Sequence, residues 1–154
     1  MSLNKWDKRF LEIAKIAAGW SKDPDAQVGA VIVDAQGQIA GVGYNGFPKM
    51  VEDSAERYGD KDTKLEMVVH AEENAILGAG VRARGGVIYV IGKPVCARCT
   101  GSIIQSGITR IVALKPKDGT DSKWDRSGKL SLKMAEEAGI VFMDISDELE
   151  VSEA

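Results

Sequence analysis

The chain contains one histidine and two cysteines, all within about thirty residues of one another, in His70-Ala71-Glu72 and Cys96-Ala97-Arg98-Cys99. A neutral imidazole and two thiolates fill three corners of a tetrahedral zinc ion and leave the fourth open to water. A closed structural site needs a fourth protein ligand, and no further Cys or His is present to supply it. An Asp or Glu could close the set, but the open arrangement is the better match to the residues. Zinc in an open site brings the pKa of its water to about 7, so hydroxide is available at neutral pH. Glu72, two residues beyond His70, can take that proton and pass it to a leaving group. Taken singly, each residue has an ordinary explanation. A lone histidine is commonly a surface or core residue, a lone C-x-x-C can be a redox pair, and Glu72-Glu73 suits a solvated helix start. The combination in this order makes coincidence a poor account.

These residues have to be carried by elements that bring them together. Trp6, Phe10, Ile13, Ala14 and Ala17 recur at helical spacing, so residues 4–18 read as an amphipathic helix with Asn4 as N-cap and Gly19 as its stop. Ser21-Lys22-Asp23-Pro24-Asp25 is a polar turn. The apolar run 28–33 and the run 39–44 flank a turn-rich stretch and read as an antiparallel hairpin. Gly43-Tyr44-Asn45-Gly46-Phe47-Pro48 follows. Its glycines are expected to permit tight turns and to leave Tyr44, Asn45 and Phe47 as the side chains available for function. Residues 49–66 are polar, charged and weakly periodic, a long connection of the kind that is often functional or mobile.

Helices are then expected over 68–80, beginning near His70, over 96–106 with Cys99, Ile103 and Ile104 inward, and over 127–138 with Leu130, Met134 and Ala138 on one face. Strands are expected at 87–91, 108–114 and 140–143, a polar loop at 115–121, and an acidic tail from about residue 146. Both ligand segments fall at helix starts, where free amides and the macrodipole favour thiolate formation. The spacing of three puts both sulfurs on one helical face. The opening hairpin followed by βαβ crossovers predicts a three-layer α/β/α sandwich, with a mixed five-stranded sheet and helices on both faces. The 154 residues read as a single domain.

Composition narrows the partners. A hydrophobic share of 44% and a charged share of 28% suit an ordinary globular protein. The net charge of −3 gives no general attraction to polyanions, which weighs against a nucleic-acid partner. No apolar run is long enough to cross a bilayer, and residues 1–8 lack the apolar core of a signal peptide, so no membrane association and a cytoplasmic location are expected.

His70-Ala71-Glu72 with Cys96-x-x-Cys99 resembles the zinc-dependent nucleobase deaminases, whose signature is H-x-E followed by P-C-x-x-C. Ser21-Lys22-Asp23-Pro24, Gln27-Val28-Gly29-Ala30, Gly43-Tyr44-Asn45-Gly46 and Ile103-Ile104-Gln105-Ser106-Gly107-Ile108 look like the deoxycytidylate (dCMP) branch of the cytidine/deoxycytidylate deaminases, over roughly residues 6 to 143. The resemblance implies that His70, Cys96 and Cys99 bind Zn2+ and that Glu72 shuttles protons. It implies attack of water at C4 of a cytosine nucleotide, converting dCMP to dUMP with loss of ammonia. Asn45, Val28, Ala71 and Lys22 are the implied substrate contacts. Lys22, Arg98, Lys123 and Arg126 are the cations considered for the phosphate. A homo-oligomer and a deoxynucleoside triphosphate effector are further implications.

Three stretches depart from the pattern: Val95 stands before Cys96 with Pro94 one place earlier, and residues 49–66 and 118–126, with Trp124, show no family pattern. Two other readings are carried alongside. One is a deaminase of another base, whether free cytidine, a purine, a modified pyrimidine or tRNA adenosine. The other is a zinc-stabilised binding protein without turnover, which the presence of Glu72 argues against.

Overall fold

The structure is a computed structural model, and it describes residues 2–117 and 123–148. Helix α1, Lys5–Ala18, opens on Asn4, whose side chain accepts from the Asp7 amide while the Asp7 carboxylate accepts from the Asn4 amide. That reciprocal capping satisfies two otherwise orphaned donors. Strands β1, Gly29–Val33, and β2, Ile39–Tyr44, form the expected antiparallel hairpin. Then come α2, Ala55–Gly59, α3, Lys61–Met67, α4, Ala71–Ala79, a 3-10 turn at Gly80–Ala83, and β3, Val87–Ile91. Helix α5, Ala97–Gln105, strand β4, Arg110–Ala113, helix α6, Lys123–Glu137, and strand β5, Val141–Asp144, complete the order.

The sheet runs β2-β1-β3-β4-β5. Strand β1 is antiparallel to both β2 and β3, whereas β3-β4 and β4-β5 are parallel, so the sheet is mixed as expected. Alternate residues of the central strands face opposite layers. Ala30, Ile32, Ile88, Val90, Ile111 and Ala113 meet α4, α5 and α6 through Ala71, Ala75, Ala79, Cys99, Ile103 and Ala135. Val31, Val33, Tyr89 and Val112 meet α1 through Phe10, Leu11 and Ala14. The result is the three-layer α/β/α sandwich.

The structure corrects four expectations. Residues 49–66 are not a plain connection. Ser54 and Asp60 cap two short helices by accepting from the amides of Arg57 and Thr63. The inward face of α6 is not Leu130-Met134-Ala138, since Leu130 is 57% exposed and Ser131 and Ala135 are buried. Small residues were needed there. The Ser131 hydroxyl bonds Thr100 on α5, and the Ser127 hydroxyl accepts from the Ala97 amide at 2.9 Å. On α1, Trp6 is 55% exposed beneath the Arg9 guanidinium, and the buried seventh position is Asp7. Gly43 and Gly46 have no left-handed backbone, and Gly43 serves a close approach instead. A Cβ there would lie 2.2 Å from the Ala71 carbonyl oxygen, as one on Gly41 would lie 2.3 Å from that of Ala75. Strand β2 is glycine-rich because α4 lies almost on its backbone.

The loop expected at 115–121 and the tail from 146 fall partly outside the described residues, as does the side chain of Trp124. Among the described residues, no helix is long and apolar enough to cross a membrane.

Candidate metal and catalytic centre

His70 and Cys96 are the N-cap residues of α4 and α5, both in extended backbone. The His70 ring makes no capping bond, which leaves it free to turn towards α5. Its Nδ1 lies 3.2 Å from Cys99 Sγ and 3.5 Å from Cys96 Sγ. The ligand atoms of all three residues lie within 4.8 Å of one another. Tetrahedral zinc with ordinary bond lengths separates a nitrogen and a sulfur ligand by ~3.5 Å. The donor set and its spacing therefore fit zinc. The Cys96 sulfur also accepts from the Cys99 amide at 3.4 Å, so the free end of α5 supports negative charge on that atom.

The cysteines share their protons unequally. A hydrogen bond from the Cys99 thiol, against the cost of burial and with help from His70, holds Cys96 well below the usual thiol range. The bond to Cys96 and then burial push the Cys99 thiol up. His70 is raised, chiefly by its bond with Cys96. One thiolate is thus already favoured, and a bound cation would draw off the remaining thiol proton.

Glu72, in the first turn of α4, is 4% exposed. Burial pushes its carboxyl up to about 7. A carboxyl poised there can hold or release a proton near neutrality. Zinc would oppose that rise, because a nearby cation favours the carboxylate. The Glu73 carboxylate lies between Arg98, at 3.6 Å, and the Cys99 thiol, which donates to it at 3.9 Å.

A cavity of about 550 Å³ opens over this centre. His70, Ala71, Glu72 and Cys96 line its reactive end, and Val28 and Asn45 line it too. Asn45 is 6% exposed, with its Oδ1 accepting from the Val28 amide at 2.9 Å and its Nδ2 donating to the Ala26 carbonyl at 2.8 Å. The amide braces the 21–28 loop and retains one donor and one acceptor position. Tyr44 and Phe47 are directed elsewhere. Tyr44 meets Trp20 edge-on, and Phe47 stacks on Tyr58 at 4.4 Å.

Lys22 is outside the lining, with its ammonium 2.7 Å from Asp53. Arg98, Lys123 and Arg126 are outside it as well. Among the described residues, the cations that line the cavity are Lys61, Lys64 and Lys93. Sequence reading passed over the first two because residues 49–66 lack the periodicity of longer helices. Ser54 and Asp60, both good N-caps, were the available signal. Lys64 is buried, 3.2 Å from Asp23 and 2.9 Å from Asp25, and so ties α3 to the Ser-Lys-Asp-Pro turn.

Residues 4–115 match the family described as the cytidine and deoxycytidylate deaminase zinc-binding region. A protein of Aliivibrio fischeri named uncharacterized deaminase in luxG 3'region is 39% identical over 138 residues, 90% of this chain and 92% of its own. The deoxycytidylate deaminase of Homo sapiens is 36% identical over 144 residues, 90% of this chain and 78% of its own. In structure, the dCMP deaminase of cyanophage S-TIM5, solved with dCMP and dUMP, superimposes with a TM-score of 0.74 at 19% identity. That likeness covers 94% of this chain and 99% of the phage chain, and it is a likeness of fold.

Proposed function

The chain belongs to the cytidine and deoxycytidylate deaminase zinc-binding family, and we propose that it hydrolyses dCMP to dUMP and ammonia. The observation that carries the reading is the cluster of His70, Cys96 and Cys99, of which His70 and Cys96 line a cavity whose wall includes the buried carboxyl of Glu72. The human relative's name supports the choice of substrate.

His70 Nδ1 and the sulfurs of Cys96 and Cys99 would hold zinc, which when bound would supply a Lewis acid able to acidify water. Glu72 takes a proton from the attacking water on a carboxylate oxygen and delivers it to ring N3. A new C–O bond forms at C4. Glu72 then passes the second proton of that water to the exocyclic nitrogen, the C4–N bond breaks, and ammonia leaves. Val28, Ala71 and the remaining valences of Asn45 position the base. Burial around Glu72 keeps bulk water from competing for its proton.

In this reading the chain acts as a single deaminase domain, supported by one sheet flanked by both hydrophobic clusters. The setting is the cytoplasm, where thiolate ligands stay reduced. A homo-oligomer is part of the reading, supported by the exposed apolar side chains of Trp20, Leu77 and Val81. A deoxynucleoside triphosphate effector also belongs to it.

The test is an ammonia-release assay of the zinc-loaded protein, with metal analysis, over cytosine, adenine and guanine nucleosides and their mono-, di- and triphosphates. Turnover of dCMP with one zinc per chain is expected. Absence of turnover on every cytosine compound would remove the reading.

A further inference from the structure

The substrate proposed above carries a phosphomonoester with a charge of about −2 near neutral pH. Drawing such a group into a cavity requires cationic partners to offset its lost hydration. Among the described residues three lysines line the cavity, and they are not equivalent. Lys64 is already committed to the buried Asp23 and to Asp25. Lys61 and Lys93 are exposed and form no ion pair among the described residues. The other cations considered from sequence are outside the lining, and two of them are engaged, Lys22 with Asp53 and Arg98 with Glu73.

The two lysines arrive on separate segments. Lys61 is the first residue of α3. Lys93 lies in the β3–α5 loop, three residues before the ligand Cys96. Three residues of extended chain span at most about 11 Å, the scale that separates ring C4 of a pyrimidine nucleotide from its 5' phosphorus. Lys93 therefore lies on a segment that stays within about a substrate's length of the reactive centre. Flexible stems on both side chains let the ammonium groups close on a phosphate from two sides.

We infer that Lys61 and Lys93 hold the 5' phosphate of the substrate and make the cavity selective for a nucleoside monophosphate over the nucleoside. This rests on the cytosine nucleotide reading above. Each lysine acts as a point charge on the phosphate, remote from the bond that breaks, so its loss is felt mainly in KM.

The test uses the full zinc-loaded chain carrying Lys61→Gln, Lys93→Gln or both, with circular dichroism and zinc content confirming a native fold. The ratio of kcat/KM for dCMP over deoxycytidine is expected to fall about tenfold for each single variant and about a hundredfold for the double, chiefly through KM. Arginine at either position is expected to restore most of the loss. Calorimetric affinities for dUMP and deoxyuridine supply a measurement independent of turnover, and the same loss is expected for dUMP. Variants that keep the wild-type preference and the wild-type dUMP affinity would overturn the inference, as would a wild-type protein that does not distinguish dCMP from deoxycytidine. A protein that deaminates no cytosine compound but binds dUMP in a lysine-dependent way would support the phosphate site while removing the proposed reaction.

Discussion

Glu72 carries the proton traffic of the proposed reaction, and its substitution separates chemistry from metal binding. Glu72→Gln keeps the shape of the side chain and removes its titration. The variant is expected to retain one zinc per chain while kcat falls by about 10³-fold, within the range of positioned acid–base groups. Zinc analysis beside the deamination assay checks both halves. A second buried carboxylate, Asp7, serves the fold. Burial alone would raise it. The paired bonds from Arg110 at 2.9 and 3.0 Å, the Asn4 amide and the Tyr89 hydroxyl at 2.8 Å hold it below the usual carboxylate range. A folded-state pKa below the unfolded value stabilises the fold above about pH 4, and that contribution disappears as the pH falls through the depressed value. Asp7→Asn is expected to cost about 3 kcal/mol at pH 7, because Arg110 loses its partner. Urea midpoints from pH 7 to 2 check this, with the gap between variant and wild type closing below about pH 4.

Among the elements, α4 and β2 set the position of the centre. Helix α4 can bring His70 and Glu72 over the cavity only because Gly41 and Gly43 let its backbone approach the strand. Gly43→Ala drives a methyl into the backbone at Ala71 and Ala75, so α4 must shift. The expected cost is about 1–3 kcal/mol of stability, together with at least about a tenfold loss of activity from the displaced ligand and carboxyl. Gly78→Ala is the control on the same helix. Its added Cβ would have nothing nearer than 3.9 Å, and alanine favours helix by ~1 kcal/mol. Thermal melts and activities of the two variants check the contrast. Helix α6 holds the cysteine helix by a parallel device, its Ser127 and Ser131 hydroxyls fastening the first turn of α5.

For the molecule as a whole, the proposed zinc site would join two helix starts separated by a full strand, which would link metal binding to folding. Removing zinc with a chelator is expected to abolish activity and lower Tm by about 10 °C, on the scale of metal present at a thousandfold excess over its Kd. Restoring zinc should recover both. Calorimetric scans with and without chelator check it. The cavity is also a property of the whole chain. Its walls come from the 21–28 loop, α3, the start of α4 and the β3–α5 loop, with Lys64 tying α3 to Asp23 across 41 residues of sequence.

The residue types and their spacing were enough to point to zinc, because one histidine and two cysteines are all the imidazole and thiol groups the sequence offers. Period-two and helical patterns were enough for the mixed sheet and its principal helices, since burial on one face or both imprints itself directly on the order of apolar residues. The walls of the cavity were not legible in that way. Lys61, Lys64 and Lys93 look like solvated charges until packing brings them to a common space, and Gly43 looks like a turn residue until α4 is laid against it. The inward face of α6 was likewise decided by contacts with α5, which bury Ser131 and Ala135 and leave Leu130 exposed. Local patterning records which residues leave water. Only the tertiary structure determines which of them meet, because those contacts join segments that the chain itself keeps far apart.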